Sequence, residues 1–284
     1  MTTDPQTIYQ VDAFTDRPYA GNPAAVCILP GPADEAWMRN VAAEMNLSET
    51  AFLYPEPTST STEDNTENQN VAPGYRLRWF TPTVEVDLCG HATLASAHTL
   101  WHQGIVPAEQ TLHFFTRSGL LTAQQHGDWI ELNFPALITE QTEPPQDLLF
   151  ALGLGAIQVR WIGRSRFDLL VEVDTEKSVR SLSPDFGRLA GINARGVIVT
   201  APAQAEGYDF LSRFFGPAAG VDEDPVTGSA HCCLAPFWGR KLGKEEMTAF
   251  QASARGGEVR VRLDGDRVRL MGKAVTVLAG TLLA

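Results

Sequence analysis

The sequence predicts an α+β protein made of two similar halves, and three observations carry that prediction. First, a motif recurs. Arg78-Trp79-Phe80-Thr81-Pro82, followed by Asp87-Leu88-Cys89-Gly90-His91, has a counterpart in Arg213-Phe214-Phe215-Gly216-Pro217, followed by Asp224-Pro225-Val226-Thr227-Gly228-Ser229. The step from 78 to 213 is close to half of the 284 residues, and with a three-residue insertion Gly90 falls on Gly228. Second, short apolar runs separated by turn residues outnumber helical patterns, the mark of closely spaced, mainly antiparallel strands. Third, neither GxGxxG nor GxxxxGK[ST] occurs, so nucleotide binding through those loops is not supported.

Residues 8–14 alternate as a half-buried strand, and Gly21-Asn22-Pro23 turns the chain into a second strand over 24–29. The spacing of Trp37, Val41, Ala42 and Met45 predicts a helix over 32–46, with Asp34 and Glu35 suited to its first turn. A strand over 51–54 precedes a segment, 55–74, of Ser, Thr, Asn, Glu and Pro that reads as a flexible surface excursion. A strand over 75–80 then leads through the Gly90 turn into a helix of small residues over 94–102. Short strands follow at 113–116, 120–124 and 129–134.

In the second half the pattern predicts a helix over 144–154, strands over 156–162 and 167–173, and a helix over 184–191 closed by glycine. Strands over 196–200 and 209–215 lead into the second motif. A hairpin of 259–263 with 268–271 turns about Asp264-Gly265-Asp266, and a last strand covers 274–283. Two domains result, 1–125 and 126–273, with 274–284 completing the first.

Apolar residues at 44% and charged residues at 20% supply an ample core. With 22 Lys and Arg against 34 Asp and Glu, the net charge of −12 argues against nucleic acid and anionic lipid as partners. Residues 1–10 lack a basic and apolar leader, and no run of 18 apolar residues occurs, so a cytoplasmic protein without membrane contact is expected. Cys27, Cys89, Cys232 and Cys233 show no CxxC spacing and read as free thiols, with no structural metal.

Each motif opens a helix at a glycine, where unpaired N–H groups and about half a positive charge gather; two such starts facing across a cleft would hold a small anion. Glu49, flanked by Leu47, Ala51 and Phe52, is a candidate acid/base whose pKa burial would raise toward neutrality, with a helix cap or surface glutamate as the plain alternative. His91 could bind a carboxylate or relay a proton. Asp224 caps the following helix, or binds a substrate amine or hydroxyl while the Gly228 and Ser229 amides take a carboxylate. Cys89 sits where a thiol pKa falls, but an enzyme with two opposed thiols needs a second one, and the matching position is Thr227.

Together these motifs resemble the phenazine-biosynthesis-like (PhzF-like) family, which shares its architecture with diaminopimelate epimerase. The likeness is carried by Val11-Asp12-Ala13-Phe14 with Gly21-Asn22-Pro23-Ala24-Ala25-Val26, by Asn46-Leu47-Ser48-Glu49-Thr50-Ala51-Phe52, and by the two repeated motifs. The resemblance implies two similar domains, each with mainly antiparallel strands curled around a central helix, and an active site in the cleft between them. It implies a cofactor-independent isomerase that moves a proton on a small carboxylate such as a dihydro-hydroxyanthranilate-like compound, with no metal, in a homodimer. The acid/base role carries to Glu49. Substrate-holding roles carry to His91, Asp224 and Ser229, with Asn22, Gly90, Thr227 and Gly228 beside them. An amino-acid racemase or epimerase using Cys89 and a non-catalytic binding protein remain the alternatives.

Overall fold

The structure, a computed structural model, describes residues 5–56, 74–204 and 206–283. Contacts divide the chain into two units, one of Met1–Pro18, Pro23–Asn133 and Lys273–Ala284, the other of Tyr19–Asn22 and Phe134–Gly272. The expected excursion over 55–74 falls almost entirely outside the described residues.

In the first unit β1 (Gln6–Ala13) pairs antiparallel with β18 (Ala274–Leu282) and also pairs with β2 (Asn22–Ile28). Strand β2 runs parallel to β3 (Glu49–Glu56), which is antiparallel to β4 (Gly74–Phe80). The far end of β4 holds the short β5 (Glu85–Val86), and its near end pairs in parallel with β6 (Leu112–Thr116). The antiparallel strands β7 (Gly119–His126) and β8 (Trp129–Pro135) complete the run. Helix α1 (Glu35–Met45) starts where the Asp34 side chain accepts from Trp37 N–H, and ends at Asn46 in the left-handed region. It lies over an apolar cluster that includes Phe52 and Phe80.

Helix α2 (Gly90–His102) packs against β1, β3 and β18 and is buried along nearly its whole length. Such a helix must be small and apolar all round. Its hydroxyl residues fit because each donates back one turn: Thr93 to Cys89 O, Ser96 to Ala92 O, and Thr99 to Ala95 O.

The second unit repeats the plan. Strand β9 (Glu140–Gln141) pairs antiparallel with β10 (Val159–Arg164), which pairs antiparallel with β11 (Asp168–Val173). Strand β11 is parallel to β12 (Gly196–Pro202), which is antiparallel to β13 (Phe210–Gly216). On β13 lie β14 (Val221–Asp224) and, in parallel, β15 (Glu246–Gln251), followed by antiparallel β16 (Gly257–Asp264) and β17 (Arg267–Gly272).

The short helices α3 (Leu148–Leu152), α4 (Glu176–Arg180) and α5 (Phe186–Ala190) contribute Leu148, Leu152, Val179 and Leu189 to a second core with β11 and β12. The central helix is α6 (Gly228–Leu242), packed on β15, β16 and β17. Pro236 inside it cannot donate to the carbonyl of Cys232, and Leu137 N–H takes that carbonyl instead at 3.0 Å.

The α+β prediction holds, with corrections in detail. Parallel pairs are built into both units, so the sheets are mixed. The helix expected over 144–154 shrinks to α3, because Asp147 before it and Gly153 after it both sit in the left-handed region, which breaks the helix at each end. Residues 156–158 form a short 3-10 turn before β10. Strand β15 and helix α4 were not foreseen.

Candidate active site

In the first unit the chain leaves α1 through the left-handed Asn46 and enters β3 at its first residue, Glu49. Cys89 is the extended residue before α2, and its side chain makes no cap bond to that helix. These two starts bring three reactive side chains together. His91 Nε2 lies 3.1 Å from Glu49 Oε2, and Cys89 Sγ lies 3.5 Å from His91 Nδ1. The Glu49 side chain keeps 16% of its exposure, while His91 and Cys89 are buried.

Burial pushes the Cys89 thiol up to about 11, and the neighbouring Glu49 charge adds to the rise. The thiol is therefore neutral at ordinary pH, the reverse of what a helix start alone would produce. Burial opposes a charge on His91, yet Cys89 and Glu49 together hold its pKa well above the usual histidine value. Of these two neighbours, the Glu49 carboxylate makes the closer approach, 3.1 Å from His91 Nε2. One donor atom from each of Glu49, Cys89 and His91 lies within 4.8 Å of the others, a set that could also accept a soft divalent cation.

In the second unit the turn from β14 into α6 carries the other candidates. Asp224 does not cap α6, whose N-cap Thr227 makes no side-chain cap bond. Its carboxylate instead accepts from Asn22 Nδ2 at 2.7 Å and from the Thr227 hydroxyl at 2.5 Å. The Asn22 amide also donates to Val226 O at 2.9 Å. Gly228 and Ser229 begin the helix.

Sequence reasoning missed three residues here. Buried Gln251 accepts from Thr227 N–H at 2.8 Å and donates to Asp224 O, closing the turn. Arg195 makes a two-pronged pair with buried Asp168 and donates to Ser229 Oγ at 3.0 Å. The one available signal was a charged residue placed at the head of the apolar run 167–173.

The predicted residues thus fall into two groups, each within its own unit: Glu49, Gly90 and His91 in the first, and Asn22, Asp224, Thr227, Gly228 and Ser229 in the second. Among the described residues no helix is long and apolar enough to cross a membrane.

Comparison with known proteins bears on the family and the fold. The family profile described as "Phenazine biosynthesis-like protein" matches residues 11–280. A relative from Halalkalibacterium halodurans, named an uncharacterized isomerase, is 53% identical over 100% of both chains. The crystal structure of a PhzF-family phenazine biosynthesis protein from Enterococcus faecalis superposes with a TM-score of 0.86 at 38% identity, covering 98% of this chain and 99% of that one. A hydroxyproline epimerase from Agrobacterium vitis, with bound trans-4-hydroxy-L-proline, shares the fold alone: TM-score 0.62 at 12% identity, over 98% of this chain and 92% of the other.

Proposed function

Because this chain belongs to the phenazine biosynthesis-like family, we propose that it is a proton-transfer isomerase whose acid/base is Glu49. The observation that supports this most is the 3.1 Å contact between the Glu49 carboxylate and the buried His91 imidazole. The substrate is a small cyclic carboxylate of the dihydro-hydroxyanthranilate kind, and Glu49 removes a proton from a carbon beside its unsaturated system. The C–H bond breaks, its electron pair spreads into the conjugated system, and the carboxyl becomes neutral. Charge that leaves Glu49 reappears on the substrate beside His91, whose Nε2 lies 3.1 Å from the Glu49 carboxylate and is placed to donate a hydrogen bond to that charge.

Glu49 then returns the proton to a different carbon, so atoms and electrons balance without oxidant or reductant. The Gly90 amide, Asn22, Asp224, Thr227, Gly228 and Ser229 hold the substrate in this reading, the helix-start amides taking its carboxylate. A homodimer belongs to the same proposal. The racemase alternative is disfavoured, since Cys89 is a neutral thiol and Thr227 stands at the matching place in the second motif.

The test uses dihydro-hydroxyanthranilate, or a substrate found by a thermal-shift screen of small carboxylates, deuterated at the migrating position. The wild type is expected to carry part of the label into product. Glu49→Gln, nearly isosteric, is expected to lose about 10^3-fold in kcat with its unfolding temperature kept. Unchanged turnover in Glu49→Gln would remove the assignment.

A further inference from the structure

Arg195 and Asp168 take no part in the chemistry above, yet they are built with care. Parallel pairing of β11 with β12 sets Asp168 opposite Gly196, the residue after Arg195, and Arg195 N–H donates to Phe167 O at 2.9 Å. The guanidinium grips the fully buried carboxylate through Nε at 2.9 Å and Nη2 at 2.5 Å. It also lies 5.1 Å from the centre of the Phe167 ring and 5.9 Å from that of Phe214. Two prongs and two rings leave it little freedom.

From this fixed position Arg195 Nη2 donates to Ser229 Oγ at 3.0 Å. A guanidinium has no acceptor to offer in return. The Ser229 hydroxyl proton must therefore point elsewhere, and among the described residues it meets no acceptor. The accepted bond is charge-assisted, so it polarises the outgoing O–H.

We propose that Arg195, held by Asp168, is a positioning residue that fixes Ser229 as a hydrogen-bond donor, so that this turn selects a carboxylate oxygen at that point of the substrate. The inference rests on the reading that the turn before α6 holds the substrate. A carboxylate offers acceptors in both orientations, whereas a carboxamide sets its own donor against Ser229 or gives up a contact.

The experiment compares hydroxyanthranilate with its carboxamide by isothermal titration calorimetry. The wild type is expected to prefer the acid by at least about tenfold. Arg195→Met alone would strand a buried carboxylate, so it is combined with Asp168→Asn and checked by thermal unfolding. That variant is expected to prefer the acid by no more than about threefold, with Ser229→Ala behaving alike and all three substitutions together adding nothing further.

A scaffold role would weaken both ligands equally. Equal weakening, additive losses, or failure of hydroxyanthranilate to bind the wild type overturns the proposal. Glu49→Gln is read separately on turnover, so loss of the isomerase assignment and loss of this selectivity are distinguishable outcomes.

Discussion

In the first unit Thr50 pairs with Phe80 and Glu49 stands beside Ala24; in the second Val197 pairs with Phe215 and Gly196 stands beside Asp168. The ladders are the same, and so are the clamps across them. Arg78 grips Glu85 with Nε and Nη2, as Arg213 grips Glu223. Even the helix starts are tied alike by different atoms: Thr93 Oγ1 reaches Cys89 O at 2.5 Å, and His231 Nδ1 meets Thr227 O at 2.8 Å.

What differs is the chemistry hung on that frame. Glu49 has become Gly196, Cys89 Thr227, His91 Ser229, and Val86 Asp224. A side chain cannot be restored at Gly196 without moving Phe214, whose ring lies 2.2 Å from where a Cβ would sit. Pairing and ion clamps constrain many residues at once, so they stay. Residues at the turn answer mainly to what they touch, and there the halves have parted.

Exchanging residues between the halves shows where the comparison breaks, and the largest effect is expected at His231. It is fully buried, its Nε2 meets no partner among the described residues, and burial pulls its pKa down to about 4. An unfolded chain protonates near 6.5, so as pH falls from about 6.5 to 4 the unfolded state gains protons that the folded state refuses. Stability present above 6.5 is lost across that window, by about 3 kcal/mol at 1.36 kcal/mol per pKa unit. His231→Thr imports the twin's residue and removes this titration. Chemical denaturation at pH 7 and pH 4 is expected to show the variant losing about 3 kcal/mol less than the wild type. An unchanged difference would mean that the burial of His231 does not govern its titration.

A smaller but functional effect is expected from His91→Ser, the reciprocal exchange in the first unit. The charged His91 is stabilised by the Glu49 carboxylate, with Cys89 the other reactive group against the ring. Its charge is present below the raised pKa and lost as pH rises through it. Wild-type kcat is therefore expected to fall on the alkaline side. The variant should be about 10^2-fold slower and lack that limb. A variant that keeps the same alkaline fall would assign it to another group.

The same comparison explains what could be read from the chain. Turn and cap chemistry is local, so Asp34, Gly90, Gly228 and the Gly265 hairpin could be placed in advance, and the repeated motif exposed the duplication. Asn22 could be named from its own motif, but its contact with Asp224, which spans 202 residues, could not. Arg195, Asp168 and Gln251 were not legible. Each works through parallel strand pairing, β11 with β12 or β13 with β15, whose register depends on the folded sheet and leaves no short-range mark. At Cys89 two local signals compete: a helix start argues for a low thiol pKa, while the missing second thiol argues for a packed residue, and the burial that raises the pKa sides with packing.

That burial makes Cys89→Thr the sharpest small prediction. Threonine is what the second half carries in this place, and it cannot become a thiolate or exchange a carbon-bound proton at neutral pH. If one carboxylate takes and returns the proton, the thiol is only a neutral neighbour of His91, and kcat should stay within about threefold of the wild type. Removing a group 3.5 Å from His91 Nδ1 perturbs the ring's setting slightly, which sets the size of the change allowed. A loss near that of Glu49→Gln, with the variant folded, would mean that the thiol moves protons after all. The two halves would then differ by a catalytic sulfur as well as by a carboxylate.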